Sequence, residues 1–346
     1  MIFYDNTFLE SLAIHKVGNH IDEEGIRLSE SLVEVEADIK ALLLQYFFTP
    51  FKNPEYYHFV HENDVHLNEV YRYASKIFEK PTDLYEQSKN LAKYLYEESA
   101  NPKVKSGDFF TVYFKDVVVE GEHLDAIGLF KSEAKETFLT LYPNAYNYDI
   151  EREEGLNLCK LDKGCLIFNK EKEEGYLVAV VDTKKGADAQ FWFDQFLHVE
   201  QRQDTYFQTK NTLDMCKSFV TQCLPTEFEV NRAEQVDLLN RSAQFFKDKE
   251  NFNMDEFSQE IMRQPEIIDS FKTYKTSFEK DRDMQLQEEF DISEAAVKKQ
   301  ARMLKSVIKL DKNFHIYIHG KRELIKQGFD AENGLNYYQL YYKTEE

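Results

Sequence analysis

A cluster of lysines and arginines near the C-terminal end is the clearest set of residues that could do chemistry. Residues 298–326 hold nine Lys and Arg against two acids, a net charge of +7, whereas residues 1–297 carry -24 and the whole chain -20. Cations at this density bind phosphate oxygens through counterion release, without reading base sequence. The candidate DNA-binding residues are Lys298, Lys299, Arg302, Lys305, Lys309, Lys312, Lys321 and Arg322.

The spacing of these cations predicts one basic face on an amphipathic helix. At 100° per residue, four of them fall within about 60° of one another, and apolar side chains occupy the other side. These four are Lys298, Arg302, Lys305 and Lys309. Asp291 and Glu294 have the spacing of a capping box, which predicts Asp291 as the N-cap. The helix end stays open, because SVIKL (306–310) could already be a strand and would then remove Lys309 from the face.

The same charges allow other interpretations. A run of cations is also the ordinary solvated face of a helix, and an acidic protein partner or an anionic lipid surface would attract it too. An acidic body repels phosphates except where the basic patch faces them. Binding to DNA should therefore be modest in affinity and should weaken steeply with salt.

Histidines and acids offer two alternatives based on a metal ion. His58, His61 and His66, with Glu62 and Asp64, could surround a metal ion, but the sequence supplies no second ligand pair. His315 and His319 would be some 13 Å apart on a strand, which is too far to share one ion. We predict neither a metal site nor a cofactor.

A metal-dependent nuclease is the second alternative. Asp116 followed by Glu133 and Lys135 has the outline of a site in which acids hold a divalent ion and a lysine assists catalysis. In such sites the Glu-x-Lys triplet lies on a strand, whereas SEAKETFLTL (132–141) is predicted here to form a helix that begins at Ser132. No phosphate-binding GxxxxGK[ST] or nucleophile GxSxG motif occurs. The prediction is a protein that is not an enzyme.

The surrounding pattern predicts an α+β fold in two domains. The 346 residues exceed the roughly 250–300 at which one core stops growing. Residues 1–185 are predicted to form a mixed domain with an antiparallel sheet, built from two amphipathic helices between 65 and 100 and two later β-hairpins. Residues 186–346 are predicted to form a mostly helical domain that contains the basic helix and ends in a small β element.

Three further residue types bear on the class of protein. The four cysteines are predicted to be small buried hydrophobes in a reducing cytoplasm. Trp192 and the phenylalanines around it are predicted to lie in the core, whereas half of the tyrosines from 337 to 342 could be exposed near the basic patch. No signal peptide or membrane span is visible, so the predicted location is cytoplasmic, with no membrane partner.

Several strings resemble one bacterial family. Residues 278–320, FEKDRDMQLQEEFDISEAAVKKQARMLKSVIKLDKNFHIYIHG, resemble the C-terminal signature of nucleoid-associated proteins of the NdpA/YejK type. The other matching strings are AIHKVGN (13–19), GDFFTVYFKD (107–116), LDAIGLFKSE (124–133), KLDKGCLIFN (160–169) and YLVAVVDTKKGADAQFWFDQFL (176–197). The resemblance implies location on the nucleoid and association with DNA, either directly or through a DNA-maintenance protein such as a DNA-processing enzyme. It supplies no catalytic residue and leaves a homodimer open.

Overall fold

The chain forms two compact units, Met1–Arg202 and Gln203–Glu346. The structure is a computed structural model, and it describes residues 2–52, 55–183, 191–300, 307–311, 313–317 and 324–344. The domain boundary predicted at residue 185 lies outside these residues, and residues 191–202 belong to the first unit. The predicted α+β class is confirmed, because the first unit is built on an antiparallel sheet and the second is mainly helical.

An antiparallel sheet of nine strands, counted over the described residues, forms the first unit. Its strand order is β11-β4-β10-β9-β6-β5-β2-β3, and β1 also pairs with β5. The strands of this unit, with a separate β7–β8 hairpin, are β1 (Ile2–Phe3), β2 (Phe8–Val17), β3 (Ile26–Arg27), β4 (Tyr56–Phe59), β5 (Gly107–Val119), β6 (Glu122–Ser132), β7 (Glu136–Pro143), β8 (Tyr148–Gly155), β9 (Lys163–Phe168), β10 (Leu177–Asp182) and β11 (Val199–Gln201).

Both faces of the sheet are covered, which explains the long apolar runs in its strands. Phe109 and Tyr113 of β5 join one buried cluster, and Phe110 and Phe114 of the same strand join another. A strand buried on both faces has no reason to alternate polar and apolar residues. The two predicted hairpins are confirmed as β5–β6 and β9–β10.

The described residues of the first unit include three α-helices: α1 (Ala37–Phe48), α2 (Glu69–Glu79) and α3 (Leu84–Glu98). The predicted pair of amphipathic helices is confirmed as α2 and α3, with Pro81 in a short 3₁₀ turn before α3. Asn68 caps α2 by accepting from the Tyr71 amide at 2.9 Å, and its side-chain amide donates to the Leu197 carbonyl at 3.0 Å. The Asn68 side chain therefore links α2 to the segment Phe191–Leu197, which is a π-helical turn. Trp192 in this turn is fully buried, as predicted.

Two buried ion pairs lie at the ends of the central strands. The Lys163 ammonium lies 2.5 Å from the Asp182 carboxylate, and each side chain is 1% exposed. The Lys131 ammonium lies 3.5 Å from the Glu133 carboxylate and donates to the Lys105 carbonyl at 2.7 Å. Removing one partner of such a pair costs about 3–5 kcal/mol, because the other charge stays buried. Lys131 of LDAIGLFKSE and Lys163 of KLDKGCLIFN are therefore structural.

The string AIHKVGN is also structural. The buried Asn19 donates to the carbonyls of Asn101 and Val104 and accepts from the amides of Ile21 and Asp22, which uses its full hydrogen-bonding capacity. A Cβ on Gly18 would lie 2.4 Å from the Glu24 Cβ, so no larger residue fits.

His15 of the same string joins β2 to α3. The Ser29 amide donates to Nδ1 at 3.1 Å, so the proton of the neutral ring sits on Nε2 and is donated to the Ser88 hydroxyl at 2.9 Å. Burial, with a smaller contribution from the Lys89 ammonium, lowers the pKa of His15 to about 4. Protonation at Nδ1 would break the bond from Ser29.

The segment after β6 differs from the prediction. Residues 132–141 were expected to form a helix, but β6 continues to Ser132 and β7 begins at Glu136. The string ETFLTLYP forms a strand because it is rich in β-branched and aromatic residues. A turn follows it, in which Asn144 accepts from the amides of Tyr146 and Asn147. A local hairpin satisfies the backbone here in place of a helix.

The second unit packs its helices around one cluster of buried apolar residues that includes Phe219, Phe252 and Phe271. Its elements are α4 (Thr205–Ser218), α5 (Leu224–Glu227), α6 (Arg232–Asp248), α7 (Met254–Phe257), α8 (Pro265–Asp281), α9 (Glu294–Gln300), β12 (Asn251–Asn253), β13 (Glu289–Asp291), β14 (Val307–Leu310), β15 (Phe314–Tyr317), β16 (Ile325–Asp330) and β17 (Leu335–Leu340). The predicted small β element is confirmed as the hairpins β14–β15 and β16–β17.

The cysteine prediction was right for two residues and wrong for two. Cys165 and Cys216 are buried, whereas Cys159 is exposed and Cys223 is partly exposed. The exposed Cys159 lies before β9, in a turn where its amide donates to Asn157. All four thiols are free.

The neutral state of buried His15 should make the first unit sensitive to acid. The folded pKa lies below the ordinary 6.5, so the unfolded chain binds the proton more readily between about pH 6.5 and pH 4. The contribution of His15 to the free energy of unfolding should be constant above pH 6.5 and should fall by on the order of 3 kcal/mol towards pH 4. Urea unfolding followed by the fluorescence of the single tryptophan, Trp192, gives the free energy of unfolding of this unit, because Trp192 lies in its core.

The matched variant is His15→Gln, which can keep a donor and an acceptor but does not titrate. It should be less stable than the wild type at pH 7.5 and should lose less stability on acidification. An equal decline in both proteins would show that His15 does not cause the acid sensitivity.

Candidate nucleic-acid interface

The basic segment begins with α9, and the start of this helix differs from the prediction. Asp291 is the last residue of β13, where it accepts from the side chain of Asn251, so it does not cap the helix. The helix begins at Glu294, and the Ser293 hydroxyl accepts from the Ala296 amide at 3.4 Å. Serine is as good an N-cap as aspartate, and the pairing of β13 with β12 decides between the two candidates.

The helix presents two lysines outward, as its pattern predicts. Ala296, Val297 and Gln300 are buried, and this inward face fixes the orientation of the helix in the second unit. Lys298 and Lys299 are exposed on the other side. The helix α9 therefore has the predicted amphipathic arrangement.

Lys298 has a partner that a phosphate could replace. Its ammonium lies 3.0 Å from the Glu294 carboxylate one turn earlier, and the two side chains are 78% and 86% exposed. An exposed pair at this spacing is worth only about 0.3–0.5 kcal/mol. Lys299 lies over the ring of Tyr206, with its ammonium 5.8 Å from the ring centre, which holds it against α4 while its charge stays at the surface.

The predicted continuous basic stripe does not extend along one helix to Lys309. Val307 begins a strand, β14, which pairs with β15 so that Lys309 is opposite His315. The open alternative for SVIKL was therefore the correct one, since its β-branched residues find a partner strand. The remaining predicted contacts lie outside the described residues: Arg302, Lys305, Lys312, Lys321 and Arg322.

The two C-terminal hairpins are anchored on α6 by a small apolar cluster. Leu310, Ile316, Ile325 and Tyr338 pack around the buried Val236. Tyr338 thus faces inward, and its neighbour Tyr337 is 49% exposed, as expected for alternate residues of a strand.

Aromatic rings lie beside a further cation of the segment. The Lys326 ammonium lies 5.6 Å from the ring centre of Tyr341. Tyr341 and Tyr342 are exposed. Exposed tyrosines next to cations can stack on unpaired bases, so this hairpin could add a contact to single-stranded DNA.

An additional pair of lysines was missed by the sequence analysis. Lys247, at the end of α6, and Lys249 line the same open groove of about 880 Å³ as Lys298. Asp248, Glu250 and Glu294 line it too, so the described groove has no excess of either charge. Lys247 is exposed, and only the tertiary fold brings it to this groove.

The residues named for metal chemistry have other contacts. His58 lies 2.7 Å from the Glu171 carboxylate, His61 accepts from the Asn63 amide, and His66 packs edge-on against Tyr71. Over the described parts of the chain, no three His, Cys, Asp or Glu side chains are close enough to hold one ion.

The residues named for nuclease chemistry are likewise engaged elsewhere. Asp116 lies 2.5 Å from His123, the Glu133 side chain is buried beside Lys131, and the Lys135 ammonium lies 3.2 Å from Asp108. The helix predicted for residues 132–141 does not form, but Glu133 and Lys135 lie in the connection between β6 and β7, so the Glu-x-Lys triplet is still not on a strand.

Comparisons with known proteins agree with the resemblance in the sequence. No helix in the described ranges is long and apolar enough to cross a bilayer. The comparison with curated proteins returned no match. The family model for nucleoid-associated protein YejK matches residues 13–334 of the 346, and the chain therefore belongs to this family of nucleoid-associated proteins.

Proposed function

We propose that this protein binds DNA directly, without catalysis and largely without sequence preference, through the phosphate backbone. The observation that carries the proposal is the local charge reversal: residues 298–326 carry +7 inside a chain of -20. Membership of a nucleoid-associated family supports DNA as the polyanion. The cytoplasm, and the nucleoid within it, is the proposed location.

The accessible lysines of α9 support direct contact. Among the described residues, Lys298 pairs with the exposed Glu294, and a phosphate oxygen offers the same kind of charge-assisted bond. The inward face of the helix is packed, so this lysine can reach a backbone without any change in the fold. Arg302, Lys305, Lys309, Lys312, Lys321 and Arg322 would supply further contacts.

Charge reversal at the basic segment should remove most of the affinity. Lys298→Glu/Arg302→Glu/Lys305→Glu should weaken binding to a labelled 30-base-pair duplex at least about 100-fold near 0.1 M salt, since each lost phosphate contact removes roughly tenfold there. Fluorescence anisotropy or an electrophoretic shift gives the Kd.

The matched control is Lys93→Glu/Lys103→Glu/Lys160→Glu, which makes the same change in net charge at exposed sites of the first unit. This control variant should weaken DNA binding less than about tenfold, because it changes only the long-range electrostatic field of the protein and no proposed phosphate contact. Equal losses in the two variants would remove the basic segment from the site. A wild-type protein that binds no duplex at 50 mM salt would favour the alternative, an adaptor that reaches the nucleoid through a DNA-processing enzyme.

The non-catalytic part of the proposal has its own test. Supercoiled plasmid incubated with the protein and 5 mM Mg²⁺ or Mn²⁺ should stay uncut, because the carboxylates proposed for a nuclease are bonded to His123 or buried beside Lys131. Nicking that disappears in a Glu133→Gln variant would overturn this part and restore the nuclease alternative.

A further inference from the structure

The hairpin β16–β17 has two faces that differ in what they contact. On one face, Ile325 and Tyr338 pack against the buried Val236 of α6. Side chains alternate between the two faces along each strand, and residues directly opposite each other share a face. The residues on the other side of the hairpin therefore point away from α6, and most of them are exposed. We name this side the outward face.

The outward face carries two tyrosine rings with a cation between them. Tyr337 is 49% exposed and Tyr341 is 43% exposed. The Tyr341 amide donates to the Leu324 carbonyl at 2.8 Å, which continues the pairing beyond the end of β17. Lys326 is opposite Gln339, the residue midway between the two tyrosines, and its ammonium lies 5.6 Å from the ring centre of Tyr341.

A glycine on the neighbouring strand sets the position of the Tyr337 ring. Gly328 is directly opposite Tyr337. A Cβ at residue 328 would lie 2.3 Å from Cζ of the tyrosine, so the ring occupies the space in which a side chain would otherwise stand. Aromatic rings cover strand glycines in this way in other sheets. The ring is thus held across the Gly328 backbone, and its other side is open to a ligand.

The spacing of the two rings selects an unpaired strand. Four residues along a β-strand span about 13 Å, whereas neighbouring bases that stay stacked on each other lie about 3.4 Å apart. In a duplex each base also covers the face of its neighbour, so neither ring finds a base face to stack on. An unpaired strand can turn its bases out onto aromatic side chains and place its phosphates beside cations.

We propose that the outward face binds single-stranded DNA, with one base stacked on Tyr337, another on Tyr341, and a phosphate between them paired with Lys326. The inference rests on the proposed DNA binding and adds unpaired strand to the ligands of the same basic segment. The site would not read sequence, because every base has a face that can stack on an aromatic ring.

The composition of the outward face favours this ligand over a protein or a lipid surface. Those partners bind contiguous apolar patches, whereas Lys326 separates one ring from the other. Leu335 extends the apolar surface only at the turn, opposite Asp330. The Asp330 carboxylate accepts from the amides of Glu332 and Asn333, so its charge is held in the turn. A nucleic-acid strand alternates bases with phosphates, as this face alternates rings with a cation.

Two oligonucleotides with the same phosphates test the stacking. Fluorescence anisotropy near 0.1 M salt gives the Kd of the full chain for a labelled oligo(dT) of about 12 nucleotides and for an abasic strand of the same length. The wild type should bind oligo(dT) at least about tenfold more tightly, because only oligo(dT) has bases to stack. Equal affinities would overturn the proposal, since phosphate contacts alone would then account for binding.

Substitution of the rings should weaken binding to oligo(dT) selectively. Tyr337→Leu/Tyr341→Leu keeps apolar bulk but removes both rings, so it should raise the Kd for oligo(dT) at least about tenfold and change the Kd for the 30-base-pair duplex less than about twofold. The matched control, Tyr337→Phe/Tyr341→Phe, keeps the rings and should bind oligo(dT) as the wild type does. An unchanged Kd in the leucine variant, or an equal loss in the phenylalanine variant or on the duplex, would reject the stacking.

A measurement on the wild type covers the case in which a variant folds poorly. Oligo(dT) in which iodouracil replaces some thymines, irradiated in complex with the full chain, should crosslink to Tyr337 or Tyr341, and mass spectrometry of the digest identifies the residue. Crosslinks that all map to other parts of the chain would place the bases elsewhere and overturn the proposal.

Binding to the duplex separates this inference from the proposed function. A wild type that binds the duplex but does not prefer oligo(dT) to the abasic strand keeps the proposed function and loses the stacking site. A wild type that binds neither loses both. Binding to oligo(U) that is tenfold tighter than binding to oligo(dT) would overturn the choice of DNA and assign the rings to RNA.

Discussion

The proposed function depends on one interaction, the attraction between a short cationic segment and phosphate. The rest of the chain is anionic. Charges separated by more than about 8 Å at physiological salt are largely screened. In the proposed complex, the net charge of -24 on residues 1–297 therefore matters mainly where those acids approach the DNA, whereas the cations of residues 298–326 would act at contact distance. In the proposed complex the protein should hold DNA by this segment, because the net charge of -24 on residues 1–297 disfavours contact elsewhere.

The second unit positions this segment by burying one side of it. Ala296, Val297 and Gln300 anchor α9, and Val236 anchors the two hairpins that follow. In the described part of this segment, the cations of α9 and of the β16–β17 hairpin thus belong to one folded unit. The first unit has a different kind of chemistry: a sheet covered on both faces buries ion pairs such as Lys163–Asp182 and the neutral His15.

Much of the fold could be predicted from the sequence, because the strongest signals are local. The β5–β6 and β9–β10 hairpins have continuous apolar runs and short polar turns, and α2 and α3 have clear helical periodicity. Residues 132–141 were assigned wrongly because their apolar spacing suits a helix, whereas β-branched and aromatic residues favour the hairpin that forms. The N-cap at Asp291 failed because pairing with β12 is a tertiary contact.

The candidate site was predictable in composition and less so in shape. Net charge identifies residues 298–326 without any structure, but the change from helix to strand before Lys309 depends on pairing with β15. The place of Lys247 in the groove could not be predicted from the sequence, since its position beside Lys298 results from the packing of α6 and α9. His15 appears in the sequence as one residue of an ordinary strand, and only its contacts with Ser29 and Ser88 explain its chemistry.

The most direct measurement of the central claim is the affinity of the wild-type protein for duplex DNA between 50 and 300 mM salt. If about four to six phosphates are neutralised, log K should fall against log salt with a slope near -4 to -5. A slope near zero, with binding retained at 300 mM, would contradict the account, because it would mean that contacts other than those between cations and phosphates hold the DNA.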